Sequence, residues 1–141
     1  MRMSAVRRLR GRRGQALAEF ALILPVLFLL IAGIIEFGRA WNIKQVVTDA
    51  SREGARYAVV QDNTMNPAGV EAKVRDRLQL GGITTAEVTL VPLANFHAKA
   101  STITVHVTTQ YRMGWLGALL RWAGGSSTIT IGSSTTMRNE Y

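Results

Sequence analysis

A run of 22 residues from Ala16 to Phe37, ALAEFALILPVLFLLIAGIIEF, limits what this chain can become more than any other part of it. As a helix it would extend about 33 Å at roughly 1.5 Å per residue, close to the roughly 30 Å hydrocarbon core of a bilayer. Its uncharged centre, Phe20 to Ile35, is shorter at 16 residues, so the full length requires Glu19 and Glu36 to be tolerated near the two ends. Pro25 removes one backbone donor and is expected to kink the helix, which membrane helices accommodate. The run predicts a single-pass anchor. It also raises a question, because a carboxylate such as Glu19 is costly at membrane depth.

Charge gives the anchor a direction. The chain carries a formal +8, and six of its 17 basic residues (Arg2, Arg7, Arg8, Arg10, Arg12 and Arg13) lie ahead of the apolar run with no acid among them. The remaining 11 basic residues face 9 acidic ones. Arg39 and Lys44 follow the run but are offset by Glu36 and Asp49. The positive-inside bias therefore places the N-terminus in the cytoplasm and residues 38–141 outside. The confined basicity argues against nucleic acid, since no basic patch with interleaved aromatics is left over. A cleaved secretory signal needs a small-residue site after the apolar stretch, whereas here the sequence continues as LIAGIIEFGRAW. Cysteine is absent, which excludes disulfides, thiolate zinc sites and cysteine nucleophiles. The outer part must then rely on its core or on partners.

Glu19 has two readings. In one it simply reaches headgroup water near the cytoplasmic interface. In the other it belongs to a larger pattern: arginines, Gly14, four uncharged residues, Glu19-Phe20, then the apolar helix. That pattern resembles the type IV prepilin signal. The resemblance implies cleavage by a prepilin peptidase between Gly14 and Gln15, leaving Glu19 as the fifth residue of the mature chain. Cleavage would create an ammonium on Gln15. Residues 15 and 19 are four apart and share a helix face. The new cation would pair with Glu19 of its own chain or of a neighbour, offsetting about 2.5–3.5 kcal/mol for a charge at membrane depth. Between subunits such a pair would also set axial register. Gln15 departs from the large apolar residue that many pilins carry at the mature N-terminus.

Beyond the anchor, Ile43, Val47, Ala50, Gly54 and Ala58 recur at helical spacing. The small residues Ala50, Gly54 and Ala58 make a smooth face. That face either packs on the chain's own sheet or receives a helix from another subunit. Gly14, Glu19-Phe20, Pro25, the exit Glu36-Phe37-Gly38-Arg39 and DASREGARYAV from Asp49 to Val59 together resemble the TadE-like family, pseudopilin-like proteins of the tight-adherence (Tad) pilus machinery. The resemblance covers roughly residues 12–60. It implies a pseudopilin or minor pilin of a type IVb pilus, with a prepilin peptidase, other pilins, the assembly platform and membrane lipid as partners. The competing reading is an unprocessed anchored envelope protein whose outer domain binds a partner.

The rest of the chain predicts a small outer domain. Asn66 suits an N-cap and Pro67 the first helical position, Val70, Val74 and Leu78 form a stripe, Glu71 and Arg75 pair at i, i+4, and Gly81-Gly82 stops the helix, giving a second helix over 67–80. The period then becomes two. Strands are expected over 86–93, with Pro92 at an irregular end or edge, over 101–111, with Ile103, Val105, Val107 and Tyr111 on one face, and over 127–138, with Ile129 and Ile131 inward. The connector 113–125 is apolar; Trp115, Leu116, Leu119, Leu120 and Trp122 suit a short helix. Core packing is the default for it, and an exposed patch facing a partner or the membrane interface is the alternative. The expected architecture is α+β: a leader (1–14), the membrane helix and its extension (15–60), and an outer domain (61–141) with a three-stranded antiparallel sheet.

No catalytic pattern stands out. His97 and His106 lack a second ligand at metal spacing, and Asp49, Glu53, Asp62, Glu71 and Asp76 sit near arginines on helical surfaces, as solvated charges do. Glycine-rich phosphate loops, nucleophile elbows and paired-carboxylate signatures do not occur. The sequence thus predicts a non-catalytic protein without cofactor or metal.

Overall fold

The computed structural model describes residues 6–60, 66–91 and 102–138, with side chains from Gly14 onward. The leader arginines' side chains, Asp62, Pro92 and His97 lie outside the described residues. Helix α1 runs from Val6 to Val60, 55 residues without interruption and with Pro25 inside it. At about 1.5 Å per residue it is roughly 80 Å long. It is long and apolar enough to cross a membrane. From Leu17 to Ile35 its large apolar side chains are exposed, Leu22 at 78% among them. From Glu36 onward the pattern changes, and Val47, Ala50, Ser51, Gly54, Ala55 and Ala58 turn inward.

Helix α2, Pro67–Leu80, matches the expected bounds. Asn66 Oδ1 accepts the Gly69 N–H at 2.7 Å, satisfying one of the orphan donors at a helix start. At the far end the Gly81 and Gly82 amides donate to the carbonyls of Arg77 and Gln79. Glu71 and Arg75 pair at 2.6 Å on the solvent side, while Val70, Val74 and Leu78 are buried.

The sheet has the order β1-β2-β3, all antiparallel. Strand β1 is Ala86–Val91, β2 Thr102–Arg112 and β3 Thr128–Arg138. Alternation in β2 buries Ile103, Val105, Val107 and Thr109 against the helices. A short helix α3, Trp115–Trp122, sits between β2 and β3 at the end of their hairpin, where Arg112 is paired with Thr128. The fold is therefore α+β: one face of the sheet packs on α1 and α2 around a core of valines, alanines, Leu78, Leu90 and Ile103.

Strand β3 lies along α1 in a fixed sense. Tyr111, which pairs with Ile129, reaches Glu36. Lys44 Nζ donates to the Gly132 carbonyl. Ser51 Oγ lies 2.8 Å from Thr135 Oγ1. Later residues of α1 thus meet later residues of β3, so α3 stands at the end of the domain nearest the apolar half of α1.

Two expectations are corrected here. Ile129 faces α1 on the same side as Ile131, beside Phe37, Ala40 and Trp41, but it is 39% exposed and so is not fully covered. The connector forms the expected helix, but core packing is not its role. Trp115 and Trp122 are 76% and 87% exposed, Leu119 is exposed, and Leu116 is only half-buried.

Candidate functional site

At the N-terminal end, Gln15 and Glu19 share a face of α1 as their spacing requires. Gln15 Nε2 donates to Glu19 Oε1 at 3.0 Å. Phe20 beside them is exposed, and a Cβ added to Gly14 would meet nothing within 4 Å. This end of α1 is bare: its polar pair and its apolar surface are presented together to whatever surrounds the helix. Pro25 follows within the same exposed stretch, and α1 continues through it.

Ala50, Gly54 and Ala58 occupy a different environment. Ala50 and Ala58 are buried, and a Cβ at Gly54 would lie 2.3 Å from a Val74 methyl and 3.5 Å from one of Val105. Only glycine lets α2 and β2 approach α1 so closely. The smooth face weighed as a contact for another subunit's helix is used inside the chain.

The structure also assembles a site that spacing alone does not reveal. Glu36, at the outer end of the apolar run, is only 5% exposed. A buried carboxylate needs hydrogen-bond partners, and Glu36 has three donors. Tyr111 Oη donates to Oε2 at 2.5 Å, and the backbone N–H groups of Gly114 and Trp115 donate to Oε1 at 2.8 and 3.1 Å. Those two amides open helix α3. Gly114 occupies the N-cap position and has no side chain to cap with. A carboxylate from α1 fills that role instead, where the helix dipole favours negative charge. The fit is close, since a Cβ on Gly114 would sit 2.9 Å from Glu36 Oε1. Burial, then the bond to Glu36, raises the Tyr111 pKa above its usual value and keeps the hydroxyl a donor.

Sequence reasoning placed Glu36 at the tolerated end of the span and in the Glu36-Phe37-Gly38-Arg39 exit, but gave it no partner in the outer domain. Its partners stand 75 to 79 residues away, beyond any local periodicity. The one available signal was a glycine at the start of α3 with no capping side chain of its own.

Around this site lie apolar rings. Phe37 and Trp41 stack with centroids 6.1 Å apart, and Trp115 and Trp122 project from α3. These include all three tryptophans of the chain. Among the described residues no group of three or more His, Asp or Glu side chains could hold a metal ion.

Residues 14–56 match the family model described as TadE-like protein. The match begins at Gly14, takes in Gln15, Glu19, Phe20, Pro25 and Glu36, and ends within the buried half of α1. Helix α2, the sheet and α3 lie beyond it. No curated protein and no solved structure matches the chain.

Proposed function

We propose that this chain is a pseudopilin or minor pilin that takes part in the assembly of a Tad-type pilus. It acts as a structural, non-catalytic subunit anchored by the apolar half of α1, with the leader in the cytoplasm and the outer domain on the opposite side. A prepilin peptidase removes the leader after Gly14. The mature helix then works with other pilins and the assembly platform.

The observation that carries this reading is the head of α1. Gly14, Gln15, Glu19 and Phe20 stand in prepilin-signal order on an apolar helix bare of its own domain, inside the segment that matches the TadE-like family. Glycine costs a helix about 1 kcal/mol relative to alanine, so Gly14 is a natural place for the helix to open to a peptidase. Cleavage would add an ammonium on the Gln15 main chain beside the amide that already donates to Glu19, giving the carboxylate a cationic partner as well as a neutral donor.

The test is the N-terminal residue of the protein recovered from membranes, with and without a prepilin peptidase in the same cells. A peptidase-dependent start at Gln15 is expected. An intact N-terminus beside a correctly processed control substrate would return the protein to an unprocessed anchored module. Glu19→Ala is expected to leave membrane insertion intact and to disrupt assembly; normal pilus formation by this variant would sink the charge-pairing role.

A further inference from the structure

We infer that α3 is a membrane-seated helix: it lies in the lipid interface where α1 leaves the bilayer, and Glu36 sets its depth. This rests on the reading of α1 as a membrane anchor and is independent of leader cleavage.

Three observations converge on it. Trp115, Leu119 and Trp122 stand at i, i+4 and i+7 of α3, so they share one face, and all three are exposed. That face is amphipathic in the sense that membrane-surface helices are, with an apolar stripe next to exposed Arg121 and, just before the helix, exposed Arg112.

The second observation is position. The first two amides of α3 are bonded to Glu36, the residue that ends the uncharged centre of the span. A helix whose N-terminus is tied to that residue is held at the level where hydrocarbon gives way to headgroups. The start of α3 thus stands beside the outer end of the exposed apolar stretch of α1, within reach of a bilayer that covers that stretch.

The third is chemistry. Tryptophan is enriched at membrane–water interfaces. Trp41, one turn beyond Phe37, is also exposed and lies at the same end of the domain. Lipid is therefore the occupant this surface fits. Its apolar face meets the acyl boundary, and the guanidinium groups at its margins meet phosphate.

The experiment uses the full chain in vesicles of phosphatidylethanolamine and phosphatidylglycerol. Two single-tryptophan chains are made, Trp41→Phe with Trp122→Phe and Trp41→Phe with Trp115→Phe. Lipid brominated near the headgroup end of its acyl chains is the probe, and iodide is the aqueous counter-probe. Both tryptophans are expected to lose most of their emission to the brominated lipid and to be shielded from iodide. Emission unchanged by the lipid overturns the inference, whether iodide reaches the rings (the face is in water) or copies cross-link through them (a second copy covers the face). Glu36→Ala and Gly114→Val break the tie from its two sides. Each is expected to cut lipid quenching of Trp115 while the chain stays in the membrane, and unchanged quenching in both removes Glu36 as the depth-setting residue. Resistance to alkaline carbonate separates the failures. A chain stripped from the vesicles overturns the anchor reading and this inference with it; a retained chain with unquenched tryptophans overturns this inference alone.

Discussion

Helix α1 is one backbone in two settings. From Gly14 to Ile35 its large apolar side chains point in every direction and are exposed; past Trp41 most of them are confined to one side, with Val47, Ala50, Ala55 and Ala58 buried. Leu27 and Val47 are both aliphatic residues in the same helix, yet Leu27 is 48% exposed and Val47 fully buried. Helical geometry is the same in both halves, so what differs is the partner. The second half has α2 and the sheet to pack against, whereas the first has none from its own domain and is shaped for lipid or other subunits. An all-round apolar helix is stable only where something else covers it. The boundary falls at a single buried acid, which ties the second half to α3.

Matched substitutions can break that contrast. Val47→Ala is expected to destabilise the outer domain of the detergent-solubilised chain by about 2 kcal/mol, through lost burial and an unfilled cavity. Leu27→Ala should leave the same transition where it was. Equal effects in the urea unfolding of the sheet would mean that the two halves are not separate environments.

A glycine pair sharpens the comparison at smaller scale. At Gly33 an added Cβ meets nothing within 4 Å, while at Gly54 it meets Val74 at 2.3 Å. Valine is stiff on a helix, so Val74 cannot swing away freely. Overpacking of this kind costs about 1–3 kcal/mol, set against a gain of up to about 1 kcal/mol in helix propensity. Thermal unfolding should show Gly54→Ala less stable than the parent and Gly33→Ala no less stable than it. A stabilised Gly54→Ala chain would show that α2 is not held as tightly as the structure has it.

The smallest effect concerns pH. Glu53 bonds to Arg56 at 2.9 Å on the outer half of α1, and that bond, with the nearby cations, lowers the Glu53 pKa below its ordinary 4.5. A lowered carboxylate stabilises the fold above its unfolded value and loses that contribution as pH falls through the folded one. Glu53→Gln should therefore narrow the difference in outer-domain stability between neutral pH and a pH below 4.5. The change is small, because the pair is partly exposed and surface pairs contribute little. An identical pH profile in parent and variant would remove Glu53 from the account.

Local patterns in the sequence carried the elements well. Asn66-Pro67 and Gly81-Gly82 bracket α2 because capping and helix termination are settled within a few residues. Alternation in β2 picks out Ile103, Val105 and Val107 because a strand's period is local too. The match of residues 14–56 to the TadE-like family agrees with a resemblance carried by Gly14, Glu19-Phe20 and the Asp49–Val59 stretch. What escaped depends on distance along the chain. The direction Ile129 faces is inward by alternation, but its cover depends on where the sheet ends over α1. The exposure of Trp115 and Trp122 depends on α3 lying past the end of the core, and the partners of Glu36 come from β2 and the α3 turn. No period in the sequence encodes any of these.

Because α1 is unbroken from Val6 to Val60, it keeps phase like a keyed shaft. Each residue of an α-helix turns the chain by about 100° and advances it by about 1.5 Å. A single deletion between Glu19 and Glu36 would thus swing everything after it by more than a quarter turn about the shaft, relative to Glu19. Removing seven residues would bring the azimuth back to within about 20°. The orientation of the outer domain relative to the head of the helix is therefore recorded as a residue count, and a length change in this segment keeps it only in steps set by the helical repeat.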